Sequence, residues 1–298
     1  MTPALGVELR DSAAAAIALD DAGAVLARAL IPSTGDLAAT ALEAVDAVAR
    51  VAGAGPLGVA ANHTEPSATA AILSLLKQRY TGPFARVGVT PTGTAAAVAE
   101  AWVGAARGVA DVVFFAVAEH AIAGMVRDGA PVFGVGRRAA SIAWLALNPV
   151  EREDYRKIGC LEAEVAAAGI VRRLIWRIKA GDRSQVADAV GGDFSGITVE
   201  HVLNAARTGD GVSISVVRDT AKYLGMAAAN FVVMVDPTVL VLGGIMASAA
   251  DLLLEPVRTE IARRVPPAMM EALTIAPATL GSDAAAIGAA RLAMAAPP

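Results

Sequence analysis

The feature that most constrains this chain is the close spacing of its first three apolar runs. Ala4 to Glu8, Ala13 to Leu19 and Val25 to Leu30 are short, apolar or β-branched, and parted only by Arg10-Asp11-Ser12 and Asp20-Asp21-Ala22-Gly23. Runs of that length bounded by turn residues predict three antiparallel strands. Leu37, Leu42, Val45 and Val48 then recur near helical spacing behind Ser33-Thr34-Gly35, which predicts a helix capped by that tripeptide. Leu57 to Ala60 reads as a strand, Ser67 to Arg79 as a helix, Phe84 to Val89 as a strand and Thr94 to Ala106 as a helix. The order is βββαβαβα.

A second series opens at Val112 to Val117, turns at Glu119-His120, returns through Ile122 to Val126 and turns again at Arg127-Asp128-Gly129. This echo of the first hairpin predicts a duplicated α/β domain, not a solenoid. The expected lobes are residues 1–110 and 111–282, with a closing helix, 283–298, packed back on the first lobe. Leu161 to Lys179, Val199 to Arg207, Val216 to Val235 and Ala249 to Arg264 read as helices, Thr238 to Leu242 and Leu273 to Ala276 as strands, and Gly181 to Gly196 as a surface loop.

Composition narrows the function classes. At 298 residues the chain is long enough for about two domains. Its 25 basic and 29 acidic side chains give a net charge of −4 without blocks of one sign, so no direct nucleic-acid partner is expected. The longest uncharged runs, 51–64 and 237–250, are shorter than the roughly 18 residues of a membrane span. No basic stretch leading into an apolar one stands at the start, and a cytoplasmic protein is expected. Cys160 is the sole cysteine, which excludes an internal disulfide and multi-cysteine metal sites. Gly-x-x-x-x-Gly-Lys-Ser/Thr and Gly-x-Ser-x-Gly motifs do not occur.

The segment Ala97-Val98-Ala99-Glu100-Ala101-Trp102-Val103-Gly104-Ala105-Ala106-Arg107-Gly108 resembles the interdomain helix of the ROK family of repressors, open reading frames and sugar kinases. The resemblance continues through Gly159-Cys160-Leu161-Glu162-Ala163, Ala205 to Asp210, Tyr223-Leu224-Gly225 and Asp236 to Gly244. It implies an α/β, two-lobed, actin-like ATPase fold, a ribonuclease H-like duplicated domain with a βββαβα core. It also implies a homodimer with sugar and ATP as ligands.

The chemistry departs from that pattern. Where the family carries Glu-Asn-Asp-Ala-Asn, with the aspartate as general base, this chain has Thr90-Pro91-Thr92-Gly93-Thr94. A threonine at position 92 cannot take a hydroxyl proton near neutral pH, and losing a general base costs about 10² to 10⁴ in rate. Thr92 and Thr94 are equally readable as helix caps. The family's first phosphate hairpin, Asp-Ile-Gly-Gly-Thr, is replaced by Glu8-Leu9-Arg10-Asp11-Ser12, and its second, Gly-Thr-Gly-Ile-Gly, by Ala118-Glu119-His120-Ala121-Ile122. Asp11 and Glu119 then add negative charge, at about 4 kcal/mol per like pair 4 Å apart at a dielectric near 20, unless Arg10 and His120 neutralise them.

Of the zinc knuckle only Cys160 remains, with Ser141-Ile142-Ala143-Trp144 at the Glu and His positions, so no zinc is expected and Trp144 is read as packing into the space. Glu162 keeps the place of a sugar-binding glutamate or is an exposed helix residue. Asn62, His63 and Glu65, with Thr64, either hold a ligand or begin the next helix. His201 reads as a surface residue. Gly243 and Gly244 match an adenosine-side turn or serve only the strand-to-helix turn.

These departures predict a ROK-like pseudokinase, a non-catalytic ligand-binding or regulatory protein. Its ligand would be a small molecule, a carbohydrate or derivative, with no cofactor. Two alternatives stay open. One is an active ATP- and Mg-dependent hexose or amino-sugar kinase with a displaced base such as Glu119, Glu65 or Glu8. The other is different chemistry, with His120 and Glu119 or His63 and Glu65 as an acid/base pair. The family's repressors place a helix-turn-helix before the first strand. Here that strand begins within ten residues, so no DNA contact is expected.

Overall fold

The computed structural model describes residues 2–62, 66–80 and 88–295. His63, Thr64 and Glu65, and most of the strand expected at Phe84 to Val89, lie outside them. The chain forms two compact units: 1–114, 123–140 and 278–298 make the first, and 115–122 with 141–277 the second.

In the first unit the three closely spaced runs are antiparallel strands, β1 (Ala4–Leu9), β2 (Ala13–Leu19) and β3 (Val25–Pro32). Strand β3 alternates inward Ala27, Ala29 and Ile31 with outward Leu26, Arg28 and Leu30, the period-two pattern of a sheet wet on one side. Helix α1 (Leu37–Ala52) buries Ala41, Ala44, Val45 and Val48, one stripe at helical spacing. Its cap is Asp36, whose carboxylate accepts from the amides of Ala38 and Ala39, and not the Ser33-Thr34-Gly35 tripeptide; Asp36 is the residue immediately before the first helical one. Strand β4 (Leu57–Ala61), helix α2 (Pro66–Arg79), strand β5 (Gly88–Pro91) and helix α3 (Thr92–Trp102) complete the order, and β4 and β5 join in parallel to give the sheet β3-β2-β1-β4-β5.

The second sheet runs in the order β10-β9-β6-β7-β8. It is built from β6 (Val112–Val117), β7 (Ala121–Arg127), β8 (Ala130–Pro131), β9 (Val239–Gly244) and β10 (Thr274–Pro277). The helical part of the chain opens with α4 (Glu153–Ile158), α5 (Cys160–Val165), α6 (Ala167–Lys179) and α7 (Gln185–Ala189). Helix α7 occupies the stretch expected to be a loop. The single helix expected over Leu161 to Lys179 is broken at Ala166, which is extended because the amide of Ala167 leaves the helical ladder and donates to the carbonyl of Ala118 at 2.9 Å. Helix α8 (Val199–Arg207) starts with a capping box between Thr198 and His201, and α9 (Gly211–Val235) with the Asp210 carboxylate. The region closes with α10 (Ile245–Ser248), α11 (Ala250–Ala262) and α12 (Pro267–Ala272). Its core includes an edge-to-face pair, Phe115 and Phe231, with ring centroids 5.5 Å apart.

Helix α13 (Ala284–Ala295) belongs to the first unit, where it lies against β1, β4 and α3. The approach is backbone to backbone. A Cβ on Gly6 would stand 1.9 Å from the Ala286 carbonyl oxygen and one on Gly58 2.0 Å from that of Ala289, so only glycine lets the helix this close. No helix among the described residues is long and apolar enough to cross a membrane.

Candidate functional site

In the first unit, Thr92 is the first residue of α3, and Thr90, Thr92 and Thr94 are all buried. Neither Thr92 nor Thr94 caps the helix. The cap position falls on Pro91, which has no acceptor side chain, and no side-chain bond is made there. The first turn carries no carboxylate, and the Thr94 hydroxyl has no hydrogen-bond partner among the described residues. The helix start is pinned against β7: a Cβ on Gly93 would come within 2.1 Å of the Ala123 carbonyl oxygen, and one on Gly124 within 2.1 Å of that of Gly93. Asn62, just past β4, is half-buried, and its neighbours His63 and Glu65 lie outside the described residues.

The β1–β2 turn departs from the expected charge pairing. Arg10 pairs with Glu8, at 2.7 Å, and also donates to the carbonyl of Ser282. Burial raises the Glu8 carboxyl above its usual range, against the opposing pull of Arg10. Asp11 is exposed.

Glu100, read only as part of the family-like segment, is fully buried on α3. It accepts from the amides of Ala105, Thr279 and Leu280 and from the Thr279 hydroxyl, so one carboxylate fastens the turn after α3 to the strand–helix turn near α13. Glu100 in Ala-Glu-Ala-Trp was visible in sequence, but its partners lie 179 and 180 residues away.

In the second unit, Glu119 and His120 form the tip of the β6–β7 hairpin. His120 pairs with Glu162 and not with Glu119: Nδ1 lies 3.0 Å from one Glu162 oxygen, and the other accepts from the Ala121 amide at 3.1 Å. Glu162 is therefore neither an exposed helix residue nor isolated. A carboxylate on Nδ1 orients the ring and favours Nε2 as its basic nitrogen, the arrangement of a proton acceptor. Glu119 itself is exposed. Asp11 and Glu119 are both exposed, and charges in water interact about fourfold more weakly than at a dielectric of 20, which brings the repulsion per pair down to about 1 kcal/mol.

Gly244 ends β9 with φ of +60°, and a Cβ there would lie 1.9 Å from the Val117 carbonyl oxygen. That contact is reason enough for glycine at this position; Gly243 precedes it in the same strand. Cys160 is buried beside Tyr155 and Ala163. Trp144 is 57% exposed, so of core and rim packing it has the place of a rim residue; the short 3₁₀ turn that carries it buries Ile142. Among the described residues no group of three or more His, Cys, Asp and Glu is placed to hold a metal ion.

A model of the ROK family matches residues 58–296. A glucokinase of Halalkalibacterium halodurans is 32% identical over 196 residues, covering 65% of this chain and 59% of that protein. The DNA-binding transcriptional dual regulator NagC of Escherichia coli is 26% identical over 164 residues, 55% of this chain and 39% of that one. The match thus spans under two thirds of these relatives' length. Among solved structures, a ROK family glucokinase from Streptomyces griseus in complex with glucose and AMPPNP superposes with a TM-score of 0.82 at 22% identity, covering 99% of this chain and all of that one. At that identity the likeness establishes the fold, that of the actin-like sugar kinases.

Proposed function

This chain belongs to the ROK family, and from that premise we propose that it is an ATP-dependent sugar kinase whose proton acceptor is not the residue that opens α3. The observation that carries the reading is the His120–Glu162 pair, a carboxylate-oriented imidazole on the β6–β7 hairpin. Thr92 cannot take a hydroxyl proton at neutral pH, whereas neutral imidazole can. The glucokinase name of the H. halodurans relative supports the same reading. In the transfer step the sugar oxygen attacks the γ-phosphorus, the bond to the bridging oxygen of ADP breaks, and the hydroxyl proton passes to the imidazole. Magnesium needs only one or two carboxylates besides water and the phosphates, and on the β1–β2 turn the Glu8 carboxylate is paired with Arg10. Magnesium enters this reading only as the counter-ion of ATP.

A second reading is a non-catalytic, sugar-binding regulatory protein. It is favoured by the absence of a carboxylate in the first turn of α3 and by the regulator among the relatives. Calorimetry with glucose, mannose and N-acetylglucosamine, run beside an ADP-release assay with Mg-ATP, separates the two. Sugar-dependent ADP release that falls about 10²- to 10⁴-fold in His120→Gln, with sugar affinity retained, is the expected result. Sugar binding without ADP release replaces the first reading by the second, and absence of sugar binding overturns both.

A further inference from the structure

The second unit contains a cavity of about 570 Å³ that none of the catalytic candidates lines, within the volume range of small-molecule sites. Four cations, Arg152, Arg173, Arg177 and Lys222, face it against two carboxylates, Glu164 and Asp219. Internal pairing does not cancel that surplus. Glu164 is 2% exposed and its single charge is divided between Arg152 at 3.1 Å and Arg173 at 2.9 Å. Asp219 answers Lys222 at 3.2 Å, and Arg177 is held by Asp182, outside the lining.

The walls are also aromatic. Arg152 lies over the ring of Trp176 and Arg173 over that of Tyr223, with the charged carbon 5.9 and 6.0 Å from the ring centres. At that separation each charge lies at the outer reach of a cation–π contact, and the N–H edges of a guanidinium serve acceptors. One such donor, Nε of Arg173, is buried with no partner among the described residues. Burial also pulls the Arg173 guanidinium down from its usual pKa, which marks a poorly hydrated charge. Leu147, Val216 and Met226 supply apolar surface beside these groups.

We propose that this cavity is a binding site for a small organic anion, a phosphate or carboxylate head on a flat or apolar body, the head meeting Arg152, Arg173 and Lys222 and the body lying against Trp176 and Tyr223. The proposal does not rest on the sugar-kinase reading, because neither His120 nor Glu162 lines the cavity and its test reads no turnover.

The probes are phenyl phosphate, benzoate and inorganic phosphate, titrated calorimetrically and by tryptophan fluorescence at low and high salt. Saturable binding of phenyl phosphate or benzoate at about 1 mM or tighter, with a fluorescence change lost in Trp176→Phe while heat of binding persists, is expected. Phenyl phosphate against benzoate separates the two head groups. Lys222 and Arg177 form exposed ion pairs of little structural weight, so the double variant Lys222→Glu, Arg177→Glu folds and binds at least about tenfold more weakly. Rising salt weakens binding in the same sense. Three results each overturn the proposal: no saturable binding of any probe up to about 10 mM, affinity unchanged in the double variant, or inorganic phosphate bound as tightly as phenyl phosphate.

Discussion

Removing the Glu164 carboxylate tests how the helices of the second unit are held together. Glu164 receives Arg152, Arg173 and the Tyr155 hydroxyl, while Arg173 also reaches Thr220 on α9. Stripping one partner from a buried ion pair costs about 3–5 kcal/mol, because the other charge is left without compensation. Arg173, 14% exposed, bears that cost; Arg152, 37% exposed, recovers water and bears little. Glu164→Ala is therefore expected to lose about 3–4 kcal/mol, roughly 6–16 °C in melting temperature at 2–4 °C per kcal/mol. Glu164→Gln, which keeps the shape and one acceptor, loses about half as much, and Tyr155→Phe about 1 kcal/mol. Urea unfolding followed by tryptophan fluorescence, with Trp176 beside the cluster, measures all three. A Glu164→Ala protein within about 1 kcal/mol of the parent refutes the assignment of this carboxylate as the structural centre.

Two further outcomes follow from the first unit. Glu8 has a raised pKa in the folded chain, so its contribution is fully present below the ordinary carboxylate range and is lost as pH rises through the raised value. Glu8→Gln should therefore gain stability relative to the parent between about pH 4 and pH 7, measured as urea midpoints, and an unchanged difference would sink the claim. Gly93→Ala pushes a methyl to within 2.1 Å of the Ala123 carbonyl and should cost at least about 1–3 kcal/mol, read by thermal denaturation; a variant as stable as the parent would show that α3 and β7 separate freely.

The order βββαβαβα was legible because each run of Ala, Val, Leu and Ile carries its own period and its own stop. Pairings across long separations were not. His120 meets Glu162 over 42 residues, and the break at Ala166 is imposed by a carbonyl at Ala118. The Glu8–Arg10 pair does carry a sequence signal, because residues two apart on an extended chain share a side, but Arg10 has an acid within reach on either flank, Glu8 and Asp11, and spacing alone does not choose between them. The division of labour between Glu162 and Glu164 also lies in spacing. Two residues along α5 are about 200° apart, so one carboxylate serves the hairpin and the other the arginines of the cavity.

The placement of α13 has a consequence for biosynthesis. The half of the protein that emerges first from the ribosome cannot be finished until a segment translated much later has been delivered, since that segment's main chain nests against Gly6 and Gly58. Until then the nascent polypeptide carries an uncovered apolar sheet, and a message truncated ahead of Ala284 would leave it permanently bare, a substrate for chaperones and proteases.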